Sequence, residues 1–255
     1  RVLVLLPPSE GKTPPPADGA PLDLTRLVAP GLRPTRERVL DALVEASARP
    51  DARELLGVGA TVADEVARNV TLRSAPTREA RHVYSGVLYA AAGADRLEGA
   101  TLERAERHVR TVSALWGLVA PTDPIPAYRL SMQASLPGLG PLARAWRAPL
   151  ARELDGRAEL VVDCRSSAYL AAWRPPAHVA WVTVRVVREG KVVSHAAKHA
   201  RGVLVGHLCR REGPPPESPG ALLEVARELV GTAILDARSV PGPGAQHRLE
   251  LEVAA

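Results

Sequence analysis

Only three lysines occur in this chain, against 30 arginines, and two of the three sit where chemistry is possible. Lys12 follows an apolar run, Val2–Leu6, in the stretch Pro-Pro-Ser-Glu-Gly-Lys-Thr. Gly11-Lys12-Thr13 raises the question of a phosphate-cradling nucleotide loop. That loop requires a glycine five positions before Gly11, where this chain has Leu6. It also requires a helix directly after it, and Pro14-Pro15-Pro16 forbids one. What remains is a strand end that delivers Ser9, Glu10 and Lys12 to the carboxyl edge of a sheet, where α/β proteins gather their ligand groups. A lysine kept under strong arginine bias is a candidate for a task arginine cannot perform. Its ammonium is a compact charge whose pKa falls on burial, so it can serve as a base or a nucleophile. Lys198 is the second candidate. Lys191 lies in the turn Glu189-Gly190-Lys191 and is set aside.

Other polar residues group along the chain. The stretch from Val109 to Met132 carries Ser113, Trp116, Asp123, Tyr128 and Arg129. Arg129 follows a proline-rich loop, and is either held for an anion or paired inside the fold. Ser135–Trp146, SLPGLGPLARAW, places Gly138 and Gly140 around an apolar residue ahead of a helix. That is the pattern of the hairpin in a helix-hairpin-helix module, whose backbone N–H groups approach DNA phosphates. The match is partial, since the alanine sought after the second glycine is displaced, and a plain glycine-rich helix entry accounts for the same fragment more readily. Arg185 to Arg211 holds seven basic residues against the single acid Glu189, a density suited to an anionic ligand. Arg185, Arg188, Lys198 and Arg201 are its candidate contacts. His195 and His199 have the spacing of a helical metal pair but no glutamate between them and no third ligand, so no metal or cofactor is expected.

The elements that must position these groups follow from periodicity. Val2–Leu6 and Glu159–Cys164 read as buried strands. Residues 12–34 form an irregular excursion. Helices are expected over Thr35–Ala48, over Asp51–Asn69 with a break near Gly57 and Gly59, and from a capped start at Thr77 to Ala92. Further helices cover Leu102–His108, Pro141–Leu154, Ala196–Arg211 and Leu222–Val230. Pro121–Pro126 is a loop. Ala180–Arg188 alternates as a strand, turns at Glu189-Gly190 and returns over Val192–His195, and His247–Val253 is a final strand. Interspersed helices and strands without a linker predict one mixed α/β domain over residues 1–255.

Composition bounds the rest. Hydrophobic residues make up 46% of the chain and charged ones 24%, as in a globular protein. No apolar stretch is long enough to span a membrane. Two cysteines, Cys164 and Cys209, form no framework, so a reducing cytoplasm is the expected location. The net charge of +5 favours an acidic partner.

Taken in order, several stretches resemble one family. These are the N-terminal strand with Lys12-Thr13, Val83-Tyr84-Ser85-Gly86, Ser113-x-Leu115-Trp116-Gly117, Pro121-x-Asp123 and Tyr128-Arg129-Leu130-x-Met132. Trp146, Ser166-x-x-Tyr169 and Ala197-Lys198-x-Ala200-Arg201-Gly202 follow. The set spans nearly the whole chain and is similar to the YaaA family of bacterial peroxide-stress proteins. The resemblance implies a cytoplasmic protein with a central mixed sheet surrounded by helices, the cantaloupe-like fold. It implies protection of DNA and proteins during peroxide stress, linked to limiting free iron. It also implies binding of double-stranded or branched DNA through a basic cleft and a helix-hairpin-helix-like element.

Two functions are therefore expected in competition. A DNA-binding protein would use Lys12, Tyr84, Ser113, Arg129, Gly138, Gly140, Arg185, Arg188, Lys198 and Arg201. An enzyme acting on a nucleobase, nucleotide or other small anionic ligand would gather Ser9, Lys12, Arg129, Ser166 and Lys198 in a pocket. Convergence of Lys12 with Lys198 is expected in either case. The chain departs from the family pattern at Cys164-Arg165, which replaces small apolar residues, and at Ala168, where a glutamate is common. Glu10 is the candidate replacement for that glutamate.

Overall fold

The computed structural model describes residues 1–254. Twelve strands and ten α-helices are interspersed along them. The first half holds β1 (Val2–Leu6), α1 (Arg33–Ser47), α2 (Ala52–Leu56), α3 (Ala63–Arg68), β2 (Arg78–Glu79), α4 (Ala80–Val83), α5 (Val87–Ala92) and α6 (Gly99–His108). The middle holds β3 (Val109–Ser113), β4 (Gly117–Val119), β5 (Pro124–Ile125), β6 (Ser135–Leu136), β7 (Gly140–Pro141), α7 (Leu142–Leu154), β8 (Leu160–Asp163) and α8 (Ser167–Leu170). The last part holds β9 (Ala180–Arg188), β10 (Lys191–Val192), α9 (His195–Arg210), α10 (Pro219–Arg227), β11 (Asp236–Pro241) and β12 (Gln246–Glu252).

One eight-stranded sheet organises the molecule, in the order β11-β12-β9-β8-β1-β3-β4 with β10 added to β9. The central strands β3, β1, β8, β9 and β12 run parallel, while β4, β11 and β10 are antiparallel additions. β1 is apolar throughout, and β8 up to its terminal Asp163, because parallel strands are covered on both faces by their crossover helices. Val4 pairs with Val109 on one side and Val162 on the other, so β1 lies at the centre of the core. This is a mixed α/β fold built on one continuous hydrophobic core.

The connections fix where a ligand can sit. After β1 the chain leaves through α1–α6 and returns as β3 on one flank. It then crosses through α7 to enter β8 on the other flank of β1. The loops leaving β1 and β8 therefore diverge, and a crevice opens outside the carboxyl ends of the two strands.

α9 flanks this crevice because it packs tightly on α5. A Cβ at Gly202 would run into the Leu88 carbonyl, and one at Gly206 into that of Ala92. Only glycine permits this approach.

Several sequence expectations are corrected. The strand returning after Glu189-Gly190 is shorter than Val192–His195: β10 pairs antiparallel with β9 over Lys191–Val192, and α9 begins at His195. The Thr77 hydroxyl donates to the Ala20 carbonyl rather than capping a helix, and the strand β2 follows it. Pro121–Pro126 contains a two-residue strand, β5, that pairs with β2. Asp236–Pro241 forms the edge strand β11, which the sequence pattern does not announce.

Candidate functional site

Outside the carboxyl ends of β1 and β8 lies an open cleft of about 1100 Å³. Its walls come from the loop after β1, from α2, from the start of α5, from residues 129–135, from the β8–α8 turn and from α9. Lys12 and Lys198 both line it, joined by Arg129 and Arg201. Glu10 lines the same cleft, as do Glu54 of α2 and Asp51 just before it, whose carboxylate is held by Arg49. Ser9, Ser166 and Ala168 also line the cleft, so Glu10 and the Ala168 position share one cavity.

Lys12 is held rather than free. It forms an antiparallel bridge with Tyr84, and the next residue, Thr13, donates its N–H to the Val83 carbonyl at 2.8 Å. Its Nζ donates to the Ser9 carbonyl at 2.8 Å and the Glu10 carbonyl at 3.2 Å. The same nitrogen lies 4.3 Å from the centroid of the Tyr128 ring and 5.9 Å from that of Tyr84. Burial against these rings, with help from the Arg129 charge, lowers its pKa to about 7, against the opposing pull of Glu65 and Glu10.

Tyr84 and Ser113 do not line the cleft; they form the floor beneath Lys12. Both are buried. The Ser113 hydroxyl accepts from the N–H groups of Leu115 and Trp116, at 3.2 and 3.1 Å. With both lone pairs occupied, its proton goes to the Tyr128 oxygen at 2.7 Å. Tyr128 in turn donates to the Tyr84 oxygen at 2.8 Å. This chain of hydroxyls fixes the ring on which the Lys12 ammonium rests. Ser9 is likewise committed, since its Oγ donates to the Gly11 carbonyl at 2.5 Å and accepts from the Ser85 N–H at 3.1 Å.

Arg129 is paired inside the fold and also borders the cleft, its guanidinium lying 3.3 Å from Glu65 of α3. Asn69 holds its backbone from both sides, accepting from the Arg129 N–H and donating to the Arg129 carbonyl, each at 2.9 Å. Asn69 is fully buried. Asn69→Leu leaves both Arg129 backbone groups unpaired, which costs about 1–3 kcal/mol per group. We expect it to lower thermal stability and to weaken ligand binding as much as Arg129→Ala does. A circular dichroism melt and a binding titration of the folded variant check both effects.

The β8–α8 turn is set by Asp163 and Arg165, whose side chains are both 0% exposed. Arg165 grips Asp163 with two bonds of 2.9 and 2.8 Å, and donates to the carbonyls of Tyr169 and Trp173. Arg165 thus anchors the segment that presents Ser166 and Tyr169 to the cleft.

Other predicted contacts stand elsewhere. Arg185 lies on β9 opposite Glu250 of β12, and Arg188 donates to the Ala254 carbonyl, so neither reaches the cleft. Gly138 and Gly140 turn the β6–β7 hairpin with φ of 74° and 78°. That hairpin touches the cleft rim only through Ser135. The helix-hairpin-helix expectation is corrected to half of such a module: α7 follows the hairpin, but the described residues between β4 and the hairpin hold no helix. The side chain of His195 lies outside the described residues, so the His195–His199 pair is not placed. Among the described residues no group of three or more His, Cys, Asp or Glu is arranged to hold a metal ion. Burial pushes the Cys164 thiol, at the cleft floor, up to about 12 and that of Cys209 up to about 11. Neither supplies a thiolate near neutral pH. Among the described residues no helix is long and apolar enough to cross a membrane.

Comparison with known proteins places this architecture. Residues 2–219 match the family model described as peroxide stress protein YaaA. A UPF0246 protein of Streptomyces coelicolor is 47% identical, with the match covering 89% of this chain and 90% of that protein. UPF0246 proteins of Corynebacterium efficiens and Corynebacterium glutamicum are 43% and 38% identical, over 80% and 83% of this chain and 83% and 86% of theirs. By the family-model match over residues 2–219 and these relatives, the chain belongs to the YaaA family of peroxide-stress proteins.

Proposed function

We propose that the chain serves peroxide-stress defence by binding double-stranded or branched DNA in the cytoplasm, with the cleft outside β1 and β8 as its phosphate-contacting surface. The observation supporting this reading is the convergence of Lys12, Arg129, Lys198 and Arg201, from distant parts of the chain, on one concavity. Cations gathered in a cleft focus potential on an anionic ligand. Asp51 and Glu54 oppose a second phosphate backbone along the α2 wall. A branched or frayed end presenting one strand therefore suits the cleft better than continuous duplex.

A salt titration of fluorescently labelled duplex and branched DNA tests the reading. With two to four phosphates engaged, log K falls against log salt with a slope of roughly −2 to −4. Lys198→Ala and Arg201→Ala each reduce that slope by about one. Absence of binding to every DNA form at low salt overturns the proposal.

One observation favours a second reading, an enzyme acting on a nucleobase, nucleotide or other small anionic metabolite. A phosphate contact is best made by a permanently charged head, whereas Lys12 has a pKa of about 7. A displaced lysine pKa in a cleft is a mark of catalytic use. Free nucleotides that displace DNA from the cleft and are chemically altered would establish this reading over the first.

A further inference from the structure

The setting of Lys12 suits more than anion binding, and the chemistry inferred for it rests on the reading of the cleft as an anion site. We infer that Lys12 forms an imine with the carbonyl carbon of an aldehyde or ketone that carries a phosphate or carboxylate, the anionic group being taken by Arg129, Lys198 and Arg201. Three features of the site point to this chemistry.

The first is the cradle. Lys12 Nζ is bonded to two backbone carbonyls and laid on the Tyr128 ring, and among the described residues no carboxylate lies within ion-pair distance of it. Glu65 is engaged by Arg129 instead. A lysine serving only as a fixed charge is ordinarily matched to an acid, whereas this one is desolvated beside another cation, Arg129, the setting in which a lysine amine becomes a nucleophile. The second is the charge around it. Arg129 on one side disfavours the ammonium, and the floor hydroxyls of Tyr84, Tyr128 and Ser113 are neutral at every pH of interest, being buried and bonded to one another. Glu10 and Glu65 act in the opposite sense, and the balance leaves a large fraction of neutral amine at neutral pH. The third is reach. Lys198 and Arg201, on α9, line the same cleft as Lys12, so a ligand whose anionic end is held by α9 can present its carbonyl end to the loop after β1.

The step balances without a further reactant. The Nζ lone pair adds to the carbonyl carbon, and the carbonyl π pair moves to oxygen, which takes a proton from solvent. The resulting carbinolamine loses one nitrogen proton, its hydroxyl leaves as water once protonated, and the iminium so formed returns its remaining nitrogen proton to solvent, so that amine plus carbonyl gives imine plus water. The imine carbon, now attached to the protein, draws electrons from its neighbours.

Glyceraldehyde 3-phosphate with cyanoborohydride, followed by peptide mass mapping, tests the inference, and the presence of only three lysines makes the mapping unambiguous. At pH 7 and limiting probe, reduced adduct on Lys12 should exceed that on Lys198 and Lys191 by at least about tenfold, because burial beside Arg129 leaves a large part of the Lys12 amine neutral there. Lys12→Arg should abolish this adduct while keeping the fold, as read by circular dichroism. Lys198→Ala should raise the probe concentration needed for half-labelling of Lys12 several-fold without removing the label. Equal labelling of the three lysines, or labelling unchanged in Lys12→Arg, overturns the inference. DNA binding measured on the same preparations separates the two claims. Binding without selective adduct sinks the imine alone, and selective adduct without binding sinks the DNA reading alone.

Discussion

Replacing Asp163 with alanine should lower the melting temperature by roughly 10 °C and release the cleft wall carried by α8. The substitution strands the Arg165 guanidinium in the interior, where neither side chain of the pair has any solvent exposure. Removing one partner of such a pair costs about 3–5 kcal/mol. For a chain of this size, each kcal/mol corresponds to about 2–4 °C. Trp181 loses its acceptor in the same change, since its indole N–H donates to Asp163 at 3.0 Å. Arg165 also holds the carbonyls of Tyr169 and Trp173, so its displacement moves the segment bearing Ser166 and Tyr169. Ligand binding should therefore weaken even below the melting transition. The double variant Asp163→Ala, Arg165→Met removes the unpaired charge and should recover a large part of the lost stability but not the binding. A thermal melt of the single variant within about 2 °C of the wild type would show that the pair is not what holds this turn.

The Asp163–Arg165 pair also marks the limit of what the sequence conveys. As letters, Cys164-Arg165 reads as a departure from small apolar residues; the carboxylate that makes it tolerable is two positions away and on the strand end. β1, and β8 up to Asp163, are legible because strands buried on both faces are apolar without interruption. β11 is not, since an edge strand needs only one pairing side and tolerates the polar residues and proline of Asp236–Pro241. Lys12, Lys198, Arg129 and Ser166 are legible as cleft residues, the lysines through scarcity and the others through motif. Arg185 and Arg188 mislead because density along the chain says nothing about which side of a sheet a charge occupies. Asn69 and Glu65 leave no local signal at all. Their task is to fix Arg129 from 60 and 64 residues away, and only the folded chain brings these groups together. The α2 wall, with Asp51 and Glu54, is hidden for the same reason.

Lys12→Met should stabilise the protein below pH 7 and make its anion affinity independent of pH. The folded-state pKa of Lys12 is about 7, whereas an unfolded lysine titrates near 10.4. Between these values the unfolded chain holds a proton that the folded chain has released, so wild-type stability rises with pH across that window. Below it the folded protein must keep an ammonium on the tyrosine floor, and the full penalty is present. Methionine carries no charge and fits the aromatic cradle, so its advantage should be greatest at pH 6 and should fade by about pH 10. Discounting for the part of Lys12 that faces the open cleft, the gain is about 2 kcal/mol, or roughly 5 °C in melting temperature. An anion bound beside Nζ favours the ammonium, so binding takes up a proton when the pH exceeds 7. Wild-type affinity for DNA or a small phosphate should accordingly fall as pH rises from 7 to 9, while the methionine variant binds more weakly and with a flat profile. Paired melts and titrations at pH 6, 7, 8 and 9 read both effects. A wild-type affinity that does not change over that range would place Lys12 outside the ligand's contacts and leave Arg129, Lys198 and Arg201 as the anion site.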